Sequence, residues 1–484
     1  MSISNYFTRI NRLVISLALI SLVFVLQQRI FAIPINNYQD PVPFHTVMGS
    51  DKYYTPVEKA AFSLHLSPFY QHTHASSNPD GTKTSDGNVI GQWNMAGIFL
   101  NDANVRTPQA ITALNSPSYQ NAKRALTTFD GNLVNDNVFN QTLTAYQIPI
   151  FNDVSLRYEK TGLRAQMNFD LGVGLGMNIK AGIVDMKNRP DYFAINQNLA
   201  VGLSLISPPT NGAPNAQPAP YTAPKDAQAL AMYNQLLSAT GVNNILGTIG
   251  FDTNDFELTD LEDLHANVYW HVPIKIREKE EVAFRIIPYL SVGTSLPMGK
   301  DRNFNKLFAV VNGNDGFTGL TAEGALALDF PDMMQLSFGG GVTTYMSRDL
   351  KGYHVPNSFN QSGIYPWTTD ISKKPGNLWY ANISMKAENI MSKKDVPNFS
   401  VYFDYLFTQH RADSITLKDN SLTAFRPFIP MLQRDSSWKA QVLHGGVKCA
   451  LSKNVFLAFS VQKSLPGART YRPTTLLGGL VMNF

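Results

Sequence analysis

Apolar and polar residues alternate over many short stretches of this chain, which is the period of a β-strand. Apolar residues such as Leu163 and Met167 are interleaved with polar residues such as Arg164 and Gln166. The pattern predicts twelve strands, near residues 60–74, 154–172, 175–186, 264–276, 282–297, 317–330, 334–347, 378–390, 398–410, 437–450, 454–463 and 471–484. Segments 89–100, 141–151 and 194–206 are also strand-like, and the count becomes 14 or more if they join the same sheet.

The connections between the predicted strands have two sizes. Short turns alternate with long polar segments at 186–263, 298–316, 347–377 and 410–436. Counting back from the last strand, every short turn falls at the same end of the sheet. Short turns at one end and long loops at the other are typical of barrels in the outer membrane. We therefore predict an all-β fold, a transmembrane antiparallel up-and-down β-barrel of about 12 strands (12–14) with short periplasmic turns and long extracellular loops.

A soluble, secreted β-sandwich or propeller is the rival fold, because its strands also alternate with one face inward. Aromatic residues near strand ends favour the barrel, since they form interfacial girdles in membrane proteins. The residues concerned are Trp270, Phe330, Trp379, Phe399, Phe407, Trp438 and Phe484. Composition agrees, with 16% charged and 11% aromatic residues and a mean hydropathy of −0.13. No apolar stretch after the N-terminal one is long enough for a transmembrane helix.

The N-terminal residues have the layout of a secretory signal. Arg9 and Arg12 precede the apolar run Leu13–Leu26, and Ala32 is the candidate last residue removed. An uncleaved signal anchor is the alternative, and in both cases the chain is exported. Removal of residues 1–32 leaves 37 basic against 36 acidic residues, a formal charge of +1, so charge gives no reason to expect a nucleic-acid partner. The single cysteine, Cys449, has no internal partner for a disulfide.

The last predicted strand ends on Phe484, with Met482 and Leu480 on the same face. It resembles the C-terminal strand of bacterial outer-membrane β-barrels, which closes on Phe and serves as an assembly signal. The resemblance covers residues 60–484 and implies a Gram-negative outer-membrane location after a signal peptide (1–32) and a periplasmic segment (33–59). It also implies outer-membrane lipid and the barrel-assembly machinery as partners. Small solutes are the partners expected of a channel, and the oligomeric state is left open.

Charged residues at the polar positions of the strands are the candidates for lining a pore. They are Arg164, Asp170, Lys180, Lys275, Arg285, Glu323, Asp329, Lys386, Glu388, Asp404 and Lys439. Side chains of both signs are costly in a dry core but are hydrated in a water-filled pore. Two interpretations stay open: a pore lining or constriction, and a salt-bridge network that fills a closed barrel.

Three further segments carry candidate chemistry. The helix predicted at Lys225–Thr240, inside loop 186–263, would form a lumenal plug or pack on its own loop. The acidic stretch Asp252–Asp263 lacks the spacing of a calcium loop, so a solvated loop is the better interpretation. His74 and Ser76 share a strand face as in barrel phospholipases, but the surrounding sequence indicates a turn. We predict no cofactor, no metal site and no enzyme activity.

These observations support three hypotheses of function. The first is a porin-like channel for passive diffusion of small solutes, including lipophilic ones. The second is a closed structural or adhesive barrel whose long loops bind partners. The third is a phospholipase. The alternation pattern bears on the fold, whereas function has to be argued from a site.

Overall fold

In a computed structural model of the chain, the described residues are 62–78, 80–86, 151–195, 250–278, 281–331, 333–356, 365, 367–387, 399–419 and 426–484. The predicted signal peptide, the segment 33–59, the strand-like segment 89–100 and the helix 225–240 lie outside these residues. Of the strand-like segments 141–151 and 194–206, only the residues that end two wall strands are described.

The described residues form twenty strands and one helix. The strands are β1 (Phe62–Thr73), β2 (Ser76–Ser77), β3 (Lys83–Thr84), β4 (Phe151–Gly172), β5 (Leu175–Ile195), β6 (Phe256–Leu261), β7 (Leu264–His271), β8 (Ile274–Glu278), β9 (Glu281–Leu296), β10 (Gly319–Phe330), β11 (Met334–Tyr345), β12 (Arg348–Val355), β13 (Trp367–Lys374), β14 (Leu378–Ala387), β15 (Phe399–His410), β16 (Ser414–Leu417), β17 (Trp438–Ala450), β18 (Val455–Ala468), β19 (Thr470–Tyr471) and β20 (Thr474–Asn483). The helix α1 is Ile429–Asp435. In the described part of the chain, no helix has the length and apolarity needed to cross a membrane.

Twelve strand positions close into one antiparallel barrel, as the alternation predicts. Their order around the wall is β1-β4-β5-β7-β9-β10-β11-β14-β15-β17-β18-β20, and β20 pairs with β1 to close the ring. β7 and β8 count as one position, because both pair with β9 in the same register as far as Ile276. The break between them falls at Pro273, which has no amide hydrogen for the ladder. Within the described residues, every wall pairing is antiparallel, so the predicted fold class is confirmed.

Burial in the wall is inverted relative to a soluble protein. The outward face of the strands exposes large apolar side chains, among them Leu290 (59% exposed), Trp379 and Phe459. The inward face buries polar and charged side chains such as Arg164 (3% exposed). An exposed apolar band around a closed barrel is stable only in contact with lipid, because it would be costly in water. This inversion shows that the wall spans a membrane.

Phe484 lies at the same end of the barrel as the short turns. Its amide nitrogen donates to the Phe62 carbonyl oxygen at 2.8 Å, and the preceding Asn483 nitrogen donates to Asn454 in the turn between β17 and β18. The Phe484 and Phe62 ring centroids are 5.6 Å apart, and Phe62 lies 5.1 Å from Phe169. An aromatic cluster therefore covers the seam where the barrel closes. The role of Phe484, Met482 and Leu480 as an assembly signal stays a prediction.

Three lumenal tyrosines lie over glycines on the neighbouring strand. Tyr269 faces Gly176, Tyr380 faces Gly341 and Tyr402 faces Gly446, each as direct cross-strand neighbours. A Cβ added to any of these glycines would lie within 2.5 Å of the tyrosine hydroxyl oxygen. The glycines are therefore required for close approach of the ring to the wall, which lets a large side chain lie flat in a narrow lumen.

The sequence predicted polar long loops, but the loops are not simply polar. At the end opposite the short turns, β12, β13 and β16 form a separate antiparallel sheet, and α1 packs with it. We call this sheet, with α1, the cap. Its core includes Leu350, Tyr353, Ile371 and Leu432, all buried. The polar pattern of these loops hid the core, because its apolar residues come from segments far apart in the sequence.

Candidate functional site in the barrel lumen

The wall places most of the predicted pore-lining residues on the lumenal side. Eight of them alternate in step with the buried residues of their strands and so face inward: Arg164, Asp170, Lys180, Arg285, Glu323, Asp329, Lys386 and Asp404. Lys275 is the direct cross-strand neighbour of Arg285 and faces the same way. Lys439 has the opposite parity, because it lies between the buried Trp438 and Ala440. Its placement on the lumenal face is therefore wrong. Glu388 lies outside the described residues. Whether the inward-facing residues line a conducting pore stays a prediction.

Trp438 explains the reversal at Lys439. Its ring faces inward and stacks on His410, with the ring planes 7° from parallel and the centroids 5.7 Å apart. The sequence predicted that Trp438 belongs to an outer aromatic girdle, and this prediction is wrong. At this level the barrel interior meets the cap, so an apolar side chain is buried by facing inward rather than outward.

Arg164 belongs to a buried ionic cluster near the middle of the wall. Its Nε and Nη2 atoms donate to the two carboxylate oxygens of Glu262, both at 2.7 Å. Lys160 Nζ lies 2.8 Å from Glu262 Oε1. The Arg164 guanidinium also lies 4.2 Å from the centre of the Phe69 ring. Such a two-pronged, desolvated ion pair is geometrically specific, and the second cation leaves the Glu262 carboxylate fully matched.

A β-bulge carries Glu262 into the lumen. β6 and β7 pair with successive parts of β5, but Glu262 and Asp263 between them shift the register by one residue. The Glu262 amide nitrogen donates to the Gly182 carbonyl oxygen at 2.8 Å. A Cβ on Gly182 would come within 2.5 Å of the Glu262 carboxylate, so the glycine makes the space that this side chain occupies. Bulges often re-aim a side chain at functional sites.

The solvated-loop interpretation of Asp252–Asp263 is thus wrong for its C-terminal half. β6 extends the wall, and both Glu262 and Asp263 are buried. Asp263 Oδ2 accepts a hydrogen bond from the Asn314 amide nitrogen at 2.7 Å, which fastens the segment 298–316 to the bulge. Among the residues that the structure describes, no three His, Cys, Asp or Glu side chains are grouped to hold a metal ion.

A second charged group lies toward the short turns. Lys275, Arg285, Asp329, Gln335 and Lys386 are successive direct neighbours across five strands. Arg285 Nη1 lies 3.3 Å from Asp329 Oδ2. The lumen therefore carries charges of both signs at two levels, as the alternation of the sequence implied.

A single row of lumenal residues connects these levels, and we call it the diagonal row. It runs through Lys160, Gln71, Thr475, Gln462, His444, Asp404, Ser384, Ser337 and Ala327, each the direct cross-strand neighbour of the next. Within it, His444 Nδ1 lies 3.0 Å from Asp404 Oδ2. All members except Ala327 are polar.

The diagonal row climbs through the barrel. Lys160 lies twelve residues before the end of β4, whereas Ala327 lies three residues before the end of β10, and both strands end at the short turns. The difference corresponds to roughly 30 Å along a strand. Because barrel strands tilt by roughly 40°, this is comparable with the ~25 Å height of the apolar band. The row therefore offers polar groups from one side of the membrane to the other.

Sequence reasoning missed Lys160, Glu262 and His444. Lys160 has the same parity as Arg164 on the same strand, so an earlier start of the alternation would have found it. His444 alternates with the buried Trp438, Ala440 and Val442 and was hidden among apolar residues that face inward. Glu262 carries no signal in the sequence, because its direction depends on the bulge.

The cap holds a buried ion pair outside the membrane-spanning strands. Lys373 Nζ lies 3.0 Å from Asp413 Oδ2, and both side chains are almost fully buried. Burial alone would lower the pKa of Lys373, but Asp413, Tyr353 and Asp315 together outweigh it, so the pKa lies above its ordinary value. The Lys373 ammonium also lies 5.8 Å from the ring centres of Phe317 and Tyr353. This pair connects β13 to the chain that follows β15.

The candidate hydrolase residues lie apart from this lumenal site. Ser76 is fully buried, and its hydroxyl donates to Asp86 Oδ1 at 2.8 Å rather than to His74. His74 is close to His72, with ring centroids 6.0 Å apart. A serine hydroxyl held in this way lacks the histidine base that the phospholipase hypothesis requires.

No protein-family model and no curated protein matches the sequence. Among solved structures, the chain is similar to the COG4313 outer-membrane channel of Pseudomonas putida F1, with a TM-score of 0.44 and 9% identity over 89% of this chain and 97% of that one. It is also similar to the β-domain of the Bordetella autotransporter BrkA, with a TM-score of 0.32 and 8% identity over 88% of this chain and 100% of that one. These likenesses are too distant to bear on function. The closed twelve-stranded wall with its apolar outer face itself defines the class, an outer-membrane β-barrel.

Proposed function

We propose that the barrel is a channel for passive diffusion of small hydrophilic solutes across the outer membrane. The observation that carries the proposal is the diagonal row, which places hydrogen-bonding and charged groups along the lumen over the height of the apolar band. Water and polar solutes need such groups to replace their hydration, whereas a lipophilic solute does not. The polar lining therefore favours hydrophilic over lipophilic solutes. The sequence alone did not distinguish these two classes.

The ionic cluster at Glu262 is the best control point of this channel. Its two cations are matched by one carboxylate, all three buried in the lumen wall. Replacing Glu262 with Gln removes the negative charge and leaves Lys160 and Arg164 to attract anions. We expect the reversal potential in a salt gradient to shift toward anion selectivity. Glu257→Gln is the matched control, because Glu257 is exposed and pairs with Arg189 outside the lumen.

Planar bilayers test the proposal directly. Purified full-length protein should give discrete ionic conductance steps, and Glu262→Gln, but not Glu257→Gln, should change their selectivity. A folded barrel that gives no conductance in repeated insertions would contradict the channel function. Conductance with identical selectivity in both variants would retain the channel but exclude Glu262 from its path.

A surface-binding role is the second candidate, and the cap favours it. The cap has its own apolar core and a buried ion pair, so it presents a stable surface beyond the membrane. Exchange of residues 348–374 for a short Gly-Ser linker should abolish binding to a surface partner while leaving conductance if this role is correct. Loss of conductance with unchanged binding would contradict it.

A further inference from the structure

Four polar side chains on β18 and β20 face the lumen without a hydrogen-bond partner. Ser460, Gln462, Ser464 and Thr475 are each at most 4% exposed. The unpartnered atoms are the Ser460 and Ser464 Oγ atoms, Gln462 Oε1 and Nε2, and Thr475 Oγ1, for which the described residues supply neither donor nor acceptor. Buried polar groups are nearly always paired in folded proteins, and leaving them unpaired is costly. A cluster of them therefore points to a hydrogen-bonding molecule in the lumen.

These side chains form one patch. Gln462 and Thr475 are direct cross-strand neighbours. Ser460 and Ser464 lie two residues to either side of Gln462 on the same strand and share its face. At ~3.3 Å per residue, the patch extends roughly 13 Å along β18. Because Gln462 and Thr475 are also members of the diagonal row, the patch lies on the path proposed above.

Charge decides the class of ligand. Among the described lumen-facing residues of β18, β20 and β1 there is no Asp, Glu, Lys or Arg. Charged groups flank this wall instead, with the His444–Asp404 pair on one side and Lys160 on the other. The patch offers three hydroxyls, an amide donor and an amide acceptor. A small ion would find no opposite charge there, whereas a molecule with several hydroxyls can donate to the amide oxygen, accept from the amide nitrogen and do either with the three hydroxyls.

We infer that Ser460, Gln462, Ser464 and Thr475 form a lumenal binding subsite for small neutral polyhydroxylated solutes, that is, sugars and polyols. The inference rests on the proposed channel function for its physiological meaning but not for the binding itself. A solute held at this wall exchanges its hydration for protein hydrogen bonds midway along the barrel. Weak binding at such a point favours passage of this class over solutes of the same size that lack hydroxyls.

The test combines two measurements on the full-length protein with erythritol, glucose and maltose as probes. Block of the ionic current gives a dissociation constant in the bilayer, and equilibrium dialysis of the detergent-solubilised protein gives one that needs no conductance. We expect Gln462→Leu to weaken binding at least about tenfold, because it removes a donor and an acceptor at once. Thr475→Val should weaken it by a smaller factor.

Thr321→Val is the matched control. Thr321 also faces the lumen, but its hydroxyl is already partnered with that of Thr343 at 2.8 Å. The dissociation constants of the three probes for Thr321→Val should equal those for the wild type. Thermal unfolding of each variant shows whether the barrel is intact, and Gln462→Asn, which keeps both groups, should retain part of the affinity.

The outcomes separate the two proposals. Conductance without block or bound polyol in dialysis overturns the subsite and leaves the channel. Binding that Gln462→Leu abolishes, in a barrel that never conducts, supports the subsite and overturns the channel. Equal affinity of wild type and Gln462→Leu overturns the subsite, because binding would then lie elsewhere.

Discussion

The cap and the barrel wall bury opposite kinds of residue. In the cap, apolar side chains such as Ile371 and Leu432 are inside, and charged residues such as Asp349 and Lys418 are exposed. In the wall, apolar side chains such as Leu290 are exposed and charged residues such as Arg164 are buried. Both parts belong to one chain and both are mainly β-structure. The difference therefore teaches that the surrounding solvent, water for the cap and lipid for the wall, determines which face of a strand is apolar.

The same contrast gives an ion pair different consequences in the two regions. In the lumen, the Glu262 carboxylate has two cationic partners, Lys160 and Arg164, so loss of one cation leaves Glu262 paired with the other. In the cap, Lys373 and Asp413 are enclosed by aromatic rings and backbone. A charge left alone there has little to compensate it. Stability of the cap should thus depend on the pair more strongly than stability of the wall depends on Lys160 or Arg164 alone.

The largest expected effect is the loss of Asp413. Asp413→Ala leaves the Lys373 ammonium buried without its carboxylate and removes the acceptor of the Gly376 amide. Breaking a buried pair typically costs about 3–5 kcal/mol, so the cap should unfold at a lower temperature than the wall. Limited proteolysis during heating, with cleavage mapped to residues 348–374 and 413–435, measures this.

The exposed pair Asp349–Lys418 in the same cap is the matched control, and Asp349→Ala should leave the proteolysis profile unchanged. The double variant Lys373→Met, Asp413→Leu should recover most of the stability, because apolar replacement of a buried pair is often neutral. Cleavage of Asp413→Ala at the wild-type temperature would contradict the assigned importance of the pair.

The next effect tests the apolar outer face. Leu290→Arg places a charge on the lipid side of the wall, opposite Gly324 near the middle of β10. A charge of this kind near the bilayer centre costs about 2–4 kcal/mol. Urea unfolding in lipid vesicles should show this loss. Thr416→Arg, on the exposed face of the cap strand β16, should have almost no effect. Equal stability of the two variants would argue against lipid contact at Leu290.

Gly446→Ala tests the lumenal side of the same wall. Its Cβ would collide with the Tyr402 ring and hydroxyl, which forces the ring away from the strand. Overpacking of this kind costs about 1–3 kcal/mol. Gly445→Ala is an adjacent control on the outer face, where the nearest atoms are 3.8 Å away or more. Vesicle unfolding should separate the two, and a destabilised Gly445→Ala would show that strand propensity, not the tyrosine contact, is responsible.

The wall could be predicted from the sequence because its determinants are local. Each strand faces lipid on one side over its whole membrane span, so alternation alone located the strands to within a few residues for most of the wall. The errors occur where this condition fails. A bulge turns Glu262 inward, and Trp438 stacks on His410 inside the barrel, which turns the neighbouring Lys439 outward. The unpartnered atoms of the β18–β20 patch have no sequence signal, since they depend on what all neighbouring strands present.

The smallest expected effect concerns the short sheet of β19, β2 and β3, which lies beyond the wall at the cap end. Burial raises the pKa of Asp86 to about 7, although hydrogen bonds from Ser76 and Thr73 act to lower it. An acid whose pKa is raised on folding binds more protons in the folded state, so stability falls as pH rises from the unfolded value of 3.8 to about 7. The slope is at most about 1.4 kcal/mol per pH unit.

Hydrogen exchange of residues 73–86 should therefore quicken across this range, after correction for intrinsic rates. Asp86→Asn keeps the shape but cannot ionise, so its protection should not depend on pH. A wild-type profile that parallels this variant would mean that Asp86 ionises normally, and that the water-facing end of the molecule does not bury a neutral acid.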